Sequence, residues 1–329
     1  MDTFSHIVIG MGVGGLALID PAVSNDPTLS QAVFVGAVIG SNAPDFDFVY
    51  RLKSRGSYIR HHRGFSHSLP ALPLWGIIVP GVIYPFFSGI NFFHLFIWSF
   101  LAVILHVLFD LFNVDGTQIL LPFSRKWIAF DAIPLIDPYI LLLHFLGFAL
   151  FPFFHSGETF LVIYVFIFLY IALRTISTVV IKKYLQIYFL NALQIKLIPR
   201  MVLFKWDTII ETEEDFIFGV YSKNSLKVEH TLSKKIDFPE LVKVSRNDHA
   251  VSDFLSATQF AYPFVHKYKS GYYIYWKDLR FRTKKFFPFR AILFISSDLK
   301  NKKSYVGWFN SLKKYKKVLK NLKKSHTSI

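Results

Sequence analysis

Four apolar stretches of this chain are long enough to cross a lipid bilayer, and they limit its fold more than any other feature. Each is nearly uncharged and close to the length of about 20 residues that a helix needs to span the hydrocarbon core. The stretches are 68–88, 92–112, 135–154 and 159–181. Together with a mean hydropathy of +0.38, they predict a membrane-embedded helical bundle rather than a soluble enzyme fold.

Two shorter apolar segments precede these stretches, at 5–19 and 30–42. A helix of about 14 residues reaches only about 20 Å, which is less than the thickness of the bilayer core. Both segments contain several glycines, which allow the close approach of helix backbones that is usual in membranes. We therefore expect two short helices packed within the bundle.

The distribution of basic residues predicts the orientation of the bundle. If short connections return each helix beside its predecessor, six helices bring both ends of the bundle to one side. The loops on that side carry the basic residues Arg51, Lys53, Arg55, Arg60, Arg63, Arg125 and Lys126. The opposite loops, near 20–29, 88–91 and 155–158, contain no lysine or arginine. The positive-inside rule then predicts a multi-pass protein of the cell membrane with both termini in the cytoplasm.

The chain changes character after Lys182, and most of its net charge of +15 belongs to this later part. Alternating apolar and polar residues predict β-strands there, with a hairpin turn near 213–215. We predict a mainly α fold: a membrane-embedded helical bundle in 1–185, a small cytoplasmic β-rich (α+β) domain in 186–300 and a basic tail in 301–329. The basic surface suits membrane lipid, whereas nucleic acid is disfavoured because no recognisable binding motif is present.

Residues that can bind metal ions interrupt the apolar segments at four places. They are His6; Asp45 and Asp47; His61, His62 and His67; and His106 with Asp110. Considered alone, each has a structural explanation, such as a helix start, a turn or a buried histidine bonded to a carbonyl group. The chain has no cysteine, so thiolate ligands are excluded and imidazole and carboxylate ligands remain.

The predicted topology brings these four clusters to one end of the bundle. The first helix starts at His6, the second ends just before Asp45, the third begins after His67, and the fourth ends at His106 and Asp110. The last two are four residues apart and share a helix face. Ionisable groups at membrane depth are costly and usually functional. We therefore predict a site at the cytoplasmic mouth of the bundle for zinc or manganese, with one or two ions.

The order of these motifs resembles a known family. His6 is followed by PDFD at 44–47, HRGFSHS at 62–68, HVLFD at 106–110 and then Asp115 and Gly116. The combination is similar to the YdjM/YbcI family of membrane-bound metal-dependent hydrolases (LexA-regulated type), over about the first 130 residues. The region 200–300 looks like the accessory domain of longer Gram-positive relatives. The family is remotely similar to the zinc-dependent phospholipase C and nuclease group, which implies a helical fold with clustered metals and phosphoester hydrolysis.

The resemblance implies metal ligands at His6, Asp45, His67, His106 and Asp110, followed by Asp47 and His62. Asp47 and His67 are the candidate catalytic residues, with Asp47 as the acceptor of a proton from the attacking water. His61 precedes the family motif and is expected beside the site or in solvent.

Two further pairs of residues have two interpretations each. Arg60 and Arg63 could bind a substrate phosphate, or could serve only as determinants of membrane topology. Asp131 and Asp137 lie in a loop on the same side of the bundle and could reach the site, although Asp137 before a proline equally fits a helix start.

The function favoured by these features is hydrolysis of a phosphoester, in a lipid, a lipid-linked molecule or another small molecule, by a water that the metal activates. The alternative is a membrane-anchored binding or regulatory protein with a structural metal site and a basic cytoplasmic domain. A transporter is disfavoured because the polar clusters all lie at one end of the bundle.

Overall fold

Residues 1–282, 286–298 and 302–323 are described by the computed structural model, and they form two compact units. The first unit contains Met1–Asp47 and Arg63–Leu232, and the second contains Phe48–His62 and the described residues from Ser233 onward. Residues 301 and 324–329 of the predicted basic tail lie outside the described residues. A helical region followed by antiparallel sheets confirms the predicted fold class.

Several of the helices up to residue 188 begin at clear sequence signals. In chain order they are α1 (Thr3–Leu16), α2 (Pro21–Ser24), α3 (Pro27–Gly40), α4 (Arg55–His61, in the second unit), α5 (Ala71–Ile83), α6 (Phe92–Phe112), α7 (Pro138–Leu150) and α8 (Ser156–Tyr188). The side chains of Asp2, Asp26, Asn91 and Asp137 each accept a hydrogen bond from an amide in the first turn of the following helix. Such N-caps satisfy amides that the helix itself leaves unpaired.

Among the described residues, two helices are long and apolar enough to cross a membrane, namely α6 and α8. The stretches 68–88 and 135–154, also predicted as spans, form the shorter helices α5 and α7, each of 13 residues and about 20 Å. Proline limits the length of both helices. Pro85 lies in the turn after α5, and α7 starts only at Pro138. The segments predicted at 5–19 and 30–42 are α1 and α3, each of 14 residues.

Glycines bring α1, α3 and α6 into close contact. A Cβ atom at Gly10 would lie 2.8 Å from the Cα of Val38 in α3, and one at Gly40 would lie 2.6 Å from the carbonyl oxygen of Ser99 in α6. Both distances are shorter than normal van der Waals contacts, so a larger residue would push the helices apart. This packing holds the end of α3 beside α1 and α6.

The first unit also contains a four-stranded antiparallel sheet with strand order β1-β2-β3-β4. The strands are β1 (Gln194–Pro199), β2 (Lys205–Glu211), β3 (Asp215–Ser222) and β4 (Ser225–Ser233). A turn in which the amide of Asp215 donates to Thr212 Oγ1, at 3.0 Å, confirms the predicted hairpin. Trp206 of β2 packs with Ile181 and Leu185 of α8. Because of this apolar contact the sheet belongs to the same unit as the helices. The boundary predicted at 185/186 runs between the helices and this sheet.

The second unit is a sheet with helices on both faces. Its elements are α4, α9 (Pro239–Ser245), α10 (His249–Ser256), β5 (Ala261–Tyr268), β6 (Gly271–Asp278), β7 (Phe289–Ser296), β8 (Lys302–Trp308) and α11 (Leu312–Lys323), and the antiparallel strand order is β5-β6-β7-β8. Ile59 of α4, Val242 of α9 and Phe254 of α10 cover one face. Val318 and Leu322 of α11 cover the other.

Residues 302–308, which the sequence placed in the basic tail, form the edge strand β8. Successive side chains of a strand point to opposite faces. Accordingly Val306 is buried in the core beneath α4 and α10, and Tyr305 packs with the core beneath α11. This double contact makes the segment part of the sheet.

Candidate metal centre

Four side chains that can bind a metal ion converge within the first unit. Asp45 lies in the 3-10 segment that follows α3, His67 ends the 3-10 turn Phe65–His67, and His106 and Asp110 belong to the last two turns of α6. Each offers one atom, and the four atoms lie within 4.8 Å of one another. The side chains of His67, His106 and Asp110 are fully buried, and that of Asp45 is 18% exposed.

The separations of these atoms match those of ligands around a single small cation. The two imidazole Nε2 atoms, of His67 and His106, lie 3.1 Å apart. Oδ2 of Asp110 lies 3.4 Å and 3.6 Å from them, and Oδ1 of Asp45 lies 3.5 Å and 3.8 Å from them. Ligands at about 2.0–2.2 Å from a tetrahedral ion are about 3.3–3.6 Å apart, so these atoms need little movement to enclose one.

Hydrogen bonds on the far sides of the two imidazoles point their lone pairs at this centre. Nδ1 of His106 lies 2.6 Å from the carbonyl oxygen of Ser41, which only accepts, so the proton of neutral His106 resides on Nδ1. The hydroxyl of Ser66 donates to Asp47 at 3.1 Å and lies 2.9 Å from Nδ1 of His67, which therefore donates to it. Both Nε2 atoms are thus available as ligands, in the arrangement that metal-binding histidines adopt.

The second oxygen of Asp110 is held by Asn113 and Met1, which lie outside the motifs, and by Arg63 of the motif at 62–68. Oδ1 accepts a hydrogen bond of 3.0 Å from Nδ2 of Asn113 and one from the amino group of Met1, and Arg63 Nη2 lies 3.1 Å away. Arg63 also donates a hydrogen bond of 2.9 Å to the main-chain carbonyl oxygen of Met1 and one of 3.1 Å to Oδ1 of Asn113. These contacts orient Asp110 so that its other oxygen, Oδ2, faces the two imidazoles.

His6 lies beside the four-atom cluster. Its ring stacks on that of His106 with a centroid separation of 3.7 Å, and its Nε2 lies 3.4 Å from Oδ1 of Asp110. The side chain is fully buried, and neither ring nitrogen has a hydrogen-bond partner within the described part of the chain. Buried imidazole nitrogens are costly without a partner, so His6 is suited to join or support the metal shell.

Asp47 occupies a supporting position. Its Oδ2 accepts hydrogen bonds of 2.9 Å from the amide of Arg63 and 3.1 Å from the hydroxyl of Ser66, and lies 3.9 Å from Nδ1 of His67. It therefore approaches His67 on the side away from Nε2. The structure places Asp47 where it fixes the orientation of that imidazole.

Several predicted site residues make other contacts. In the second unit, Arg60 pairs with Asp253, with a hydrogen bond of 2.7 Å from Nε, and His62 stacks on Tyr58. His61 is exposed and stacks on Tyr50 there.

Asp131 and Asp137 have structural partners within the first unit. Asp131 pairs with Lys182 at 2.8 Å and Lys196 at 2.6 Å, which ties a loop to α8 and β1. Asp137 is the N-cap of α7 and accepts a hydrogen bond of 2.9 Å from Tyr170. These partners account for both carboxylates.

Sequence reasoning did not identify Asn113, Ser66 or Ser41 as parts of this centre. The position of Asn113 could have been predicted, since it follows Asp110 by three residues and so lies near the same helix face. Ser66 is the neighbour of His67, but its bond to Asp47 depends on how two loops meet. Ser41 contributes a main-chain carbonyl oxygen, which no side-chain pattern can predict.

The fold and this centre define a class: a helical membrane protein with a buried histidine and aspartate cluster that could hold a metal ion. Comparison with known families agrees with that class. The family described as YdjM inner membrane protein matches residues 1–181, and the domain family described as YfhP C-terminal alpha/beta plait domain matches residues 240–319. The chain therefore belongs to the YdjM inner membrane protein family.

One curated relative covers nearly the whole chain. It is the protein named "Uncharacterized protein YfhP" of Bacillus subtilis (strain 168), with 37% identity over 324 residues, 97% of this chain and 99% of the relative. No solved structure matches this chain.

Proposed function

We propose that this chain is a membrane-bound hydrolase that uses a divalent metal ion, zinc or manganese, to cleave a phosphoester. The observation that carries the proposal is the group of four ligand atoms from Asp45, His67, His106 and Asp110, with mutual distances typical of a metal shell. Their donor set of two imidazoles and two carboxylates, without thiolate, suits such an ion, and the buried nitrogens of His6 offer a further ligand.

When bound, a divalent ion supplies Lewis acidity, which activates water for attack and polarises the oxygen of a scissile bond. The chain's own residues prepare the rest of the site. Asp47 holds His67 through Ser66, and Asn113 with Arg63 holds Asp110, so the ligands are oriented before any ion enters. Preorganised ligands reduce the reorganisation that binding and reaction would otherwise require.

Asp45 is the residue of the four-atom group that a substrate would contact first. Its side chain alone among the four has measurable exposure, at 18%, so the cluster opens to its surroundings at this carboxylate. An aspartate at such an opening is placed to take a proton from the attacking water while remaining near the ion. Arg63, buried beside Asp110, sets the charge of the site rather than meeting substrate directly.

The proposal includes the orientation of the protein. Basic loops lie on one side of the predicted multi-pass bundle, which puts both termini and the metal centre on the cytoplasmic side. A reporter enzyme that is active only in the cytoplasm, fused after Ile329, should be active. Activity of a periplasmic or extracellular reporter at the same position would contradict this orientation.

Substrate turnover tests the proposal directly. The full chain, purified in detergent without chelator and supplied with zinc or manganese, should hydrolyse some member of a panel of aryl phosphate monoesters and diesters, phosphatidic acid and prenyl pyrophosphates. The His67→Ala variant should be inactive, and His61→Ala should retain activity because that ring is exposed and stacked on Tyr50.

The alternative function, a membrane-anchored binding protein with a structural metal site, makes a different prediction. Metal would then stabilise the chain without turnover of any member of the panel, and loss of the ion would lower the unfolding temperature. Equal activity of wild type and His67→Ala would reject the catalytic role of the centre.

A further inference from the structure

The last part of the chain is strongly and uniformly basic. From residue 299 to the end the sequence contains no Asp or Glu, and it contains lysines at positions 300, 302, 303, 313, 314, 316, 317, 320, 323 and 324. Runs of one charge most often form solvated surfaces, so the charge alone identifies no partner. The position of the lysines on a folded helix is more informative.

Helix α11 uses its apolar side within the second unit. Val318 and Leu322 are buried against the sheet, in a core that includes Tyr273 and Tyr275 of β6 and Phe309. Apart from Leu312 at its start, which is exposed, the apolar residues of this amphipathic helix therefore pack within the protein itself. They are not available to insert into the acyl region of a bilayer, which is how free amphipathic helices bind membranes.

The opposite side of α11 is an exposed row of lysines, which we call the lysine face: Lys313, Lys316, Lys317 and Lys320. Lys314 does not belong to it, because its ammonium donates a hydrogen bond to the carbonyl oxygen of Trp308. Asn321 lies on the same exposed side. The lysine face thus presents four charges, held in position by the packed side of the same helix.

We propose that the lysine face binds the anionic phospholipid headgroups of the membrane by electrostatic attraction, without insertion. The partner follows from charge and proximity. The chain belongs to a membrane protein family, so a bilayer is always within reach of the second unit and acts as a tethered partner at high effective concentration. Lysines near an anionic bilayer each raise the binding constant by roughly fivefold, so the four together contribute several hundredfold.

A single-stranded nucleic acid fits this surface less well. Such binding usually combines basic residues with aromatic rings on which bases stack. The aromatic residue of α11 is Tyr315, which is half-buried and packs with Phe309 in the core beneath the helix, so it does not belong to the lysine face. The lysine face itself therefore offers charge without a stacking platform, which suits an array of lipid phosphates.

Labelling at one position tests the proposal in the full chain. Because the sequence has no cysteine, Asn321→Cys provides a single site for a fluorophore on the exposed side of α11. The labelled chain is placed in nanodiscs of phosphatidylcholine, with or without about one-third phosphatidylglycerol, that contain nitroxide-labelled headgroups. Quenching should rise severalfold with the anionic lipid and return to the phosphatidylcholine level in about 0.5 M NaCl.

Two variants that lose the same number of charges distinguish an effect of the lysine face from an effect of net charge. Changing Lys313, Lys316, Lys317 and Lys320 to Gln should abolish the rise in quenching. The matched control changes the exposed Lys223, Lys227, Lys243 and Lys269 to Gln and should preserve it. Circular dichroism of each variant should match that of the parent, since all eight side chains are exposed.

Two results would overturn the proposal. One is equal quenching in neutral and anionic discs at low salt. The other is an unchanged anionic effect in the variant that lacks the lysine face. If short single-stranded RNA, but not phosphatidylglycerol, changes the fluorescence and the lysine-face variant abolishes that change, the surface binds nucleic acid and the lipid assignment is wrong.

Discussion

Replacing His106 with alanine should remove metal from this protein. His106 contributes one of four ligand atoms, and its Nδ1 is fixed at 2.6 Å from the carbonyl oxygen of Ser41, so Nε2 loses little freedom on binding. Four-ligand zinc sites bind with about 10–16 kcal/mol, so one ligand of four accounts for roughly 2.5–4 kcal/mol, or about a hundredfold to a thousandfold in affinity. The wild-type chain, purified without chelator, should contain at least one ion per chain, and the variant far less.

The assay has two parts, elemental analysis of the purified chain and competition with a chromophoric chelator to obtain the affinity. His94→Ala is the matched control, because His94 lies in the same helix, pairs with Asp20 at 2.6 Å and is not part of the four-atom group. Circular dichroism and gel filtration should show both variants folded. A wild-type chain that takes up no zinc or manganese at micromolar concentrations, or a His106→Ala chain with wild-type affinity, would refute the reasoning.

Three further predictions concern the supports of the site and the second unit. Asn113→Ala removes the 3.0 Å bond to Asp110 and should weaken metal affinity about tenfold to a hundredfold in the same chelator assay. Gly10→Ala places a Cβ atom 2.8 Å from the Cα of Val38, so it should lower the thermal unfolding temperature in detergent and reduce metal content. Burial lowers the pKa of Lys277 to about 8, so Lys277→Met should raise the unfolding temperature most below pH 8. That advantage should shrink between about pH 8 and pH 10.5, as the folded state of the wild type loses this proton.

Each of these predictions has a contrary outcome. Unchanged metal affinity in Asn113→Ala would mean that Asp110 needs no support from it. A Gly10→Ala chain as stable as the wild type would mean that α1 and α3 can separate without cost. For Lys277, a stability gain that is independent of pH between 7 and 10.5 would show that the ammonium is not destabilised by burial.

The charge at the centre gives a physical reason to expect a cation there. Two carboxylates, from Asp45 and Asp110, lie 3.4–3.8 Å from the Nε2 atoms of the two imidazoles, and a third, from Asp47, lies 3.9 Å from Nδ1 of His67. Arg63 compensates part of this negative charge. Electrostatic interactions are strong where solvent is excluded, so these groups would attract a divalent ion more strongly than the same groups at a surface would.

Local patterns in the sequence were sufficient for many elements of this fold. The uncharged runs identified α6 and α8, the helices long and apolar enough to cross a membrane, and alternation of apolar residues identified the hairpin between β2 and β3. The spacing of His106 and Asp110 placed both on one helix face, because the helical period is a local property. Two stretches were predicted as spans although their helices are shorter, since hydropathy does not register where proline begins or ends a helix.

Tertiary structure alone decided which distant groups meet. The segment 48–62 joins the second unit because Ile59 is buried in its core and Arg60 pairs with Asp253, 193 residues away. Likewise the bond from Ser66 to Asp47, and the orientation of Asp110 by Arg63, arise from loops that approach only when the helices pack. Sequence determines periodicity and caps because these depend on near neighbours. The pairing of buried polar groups depends on the packing of the whole unit, where each must find a partner once water is excluded.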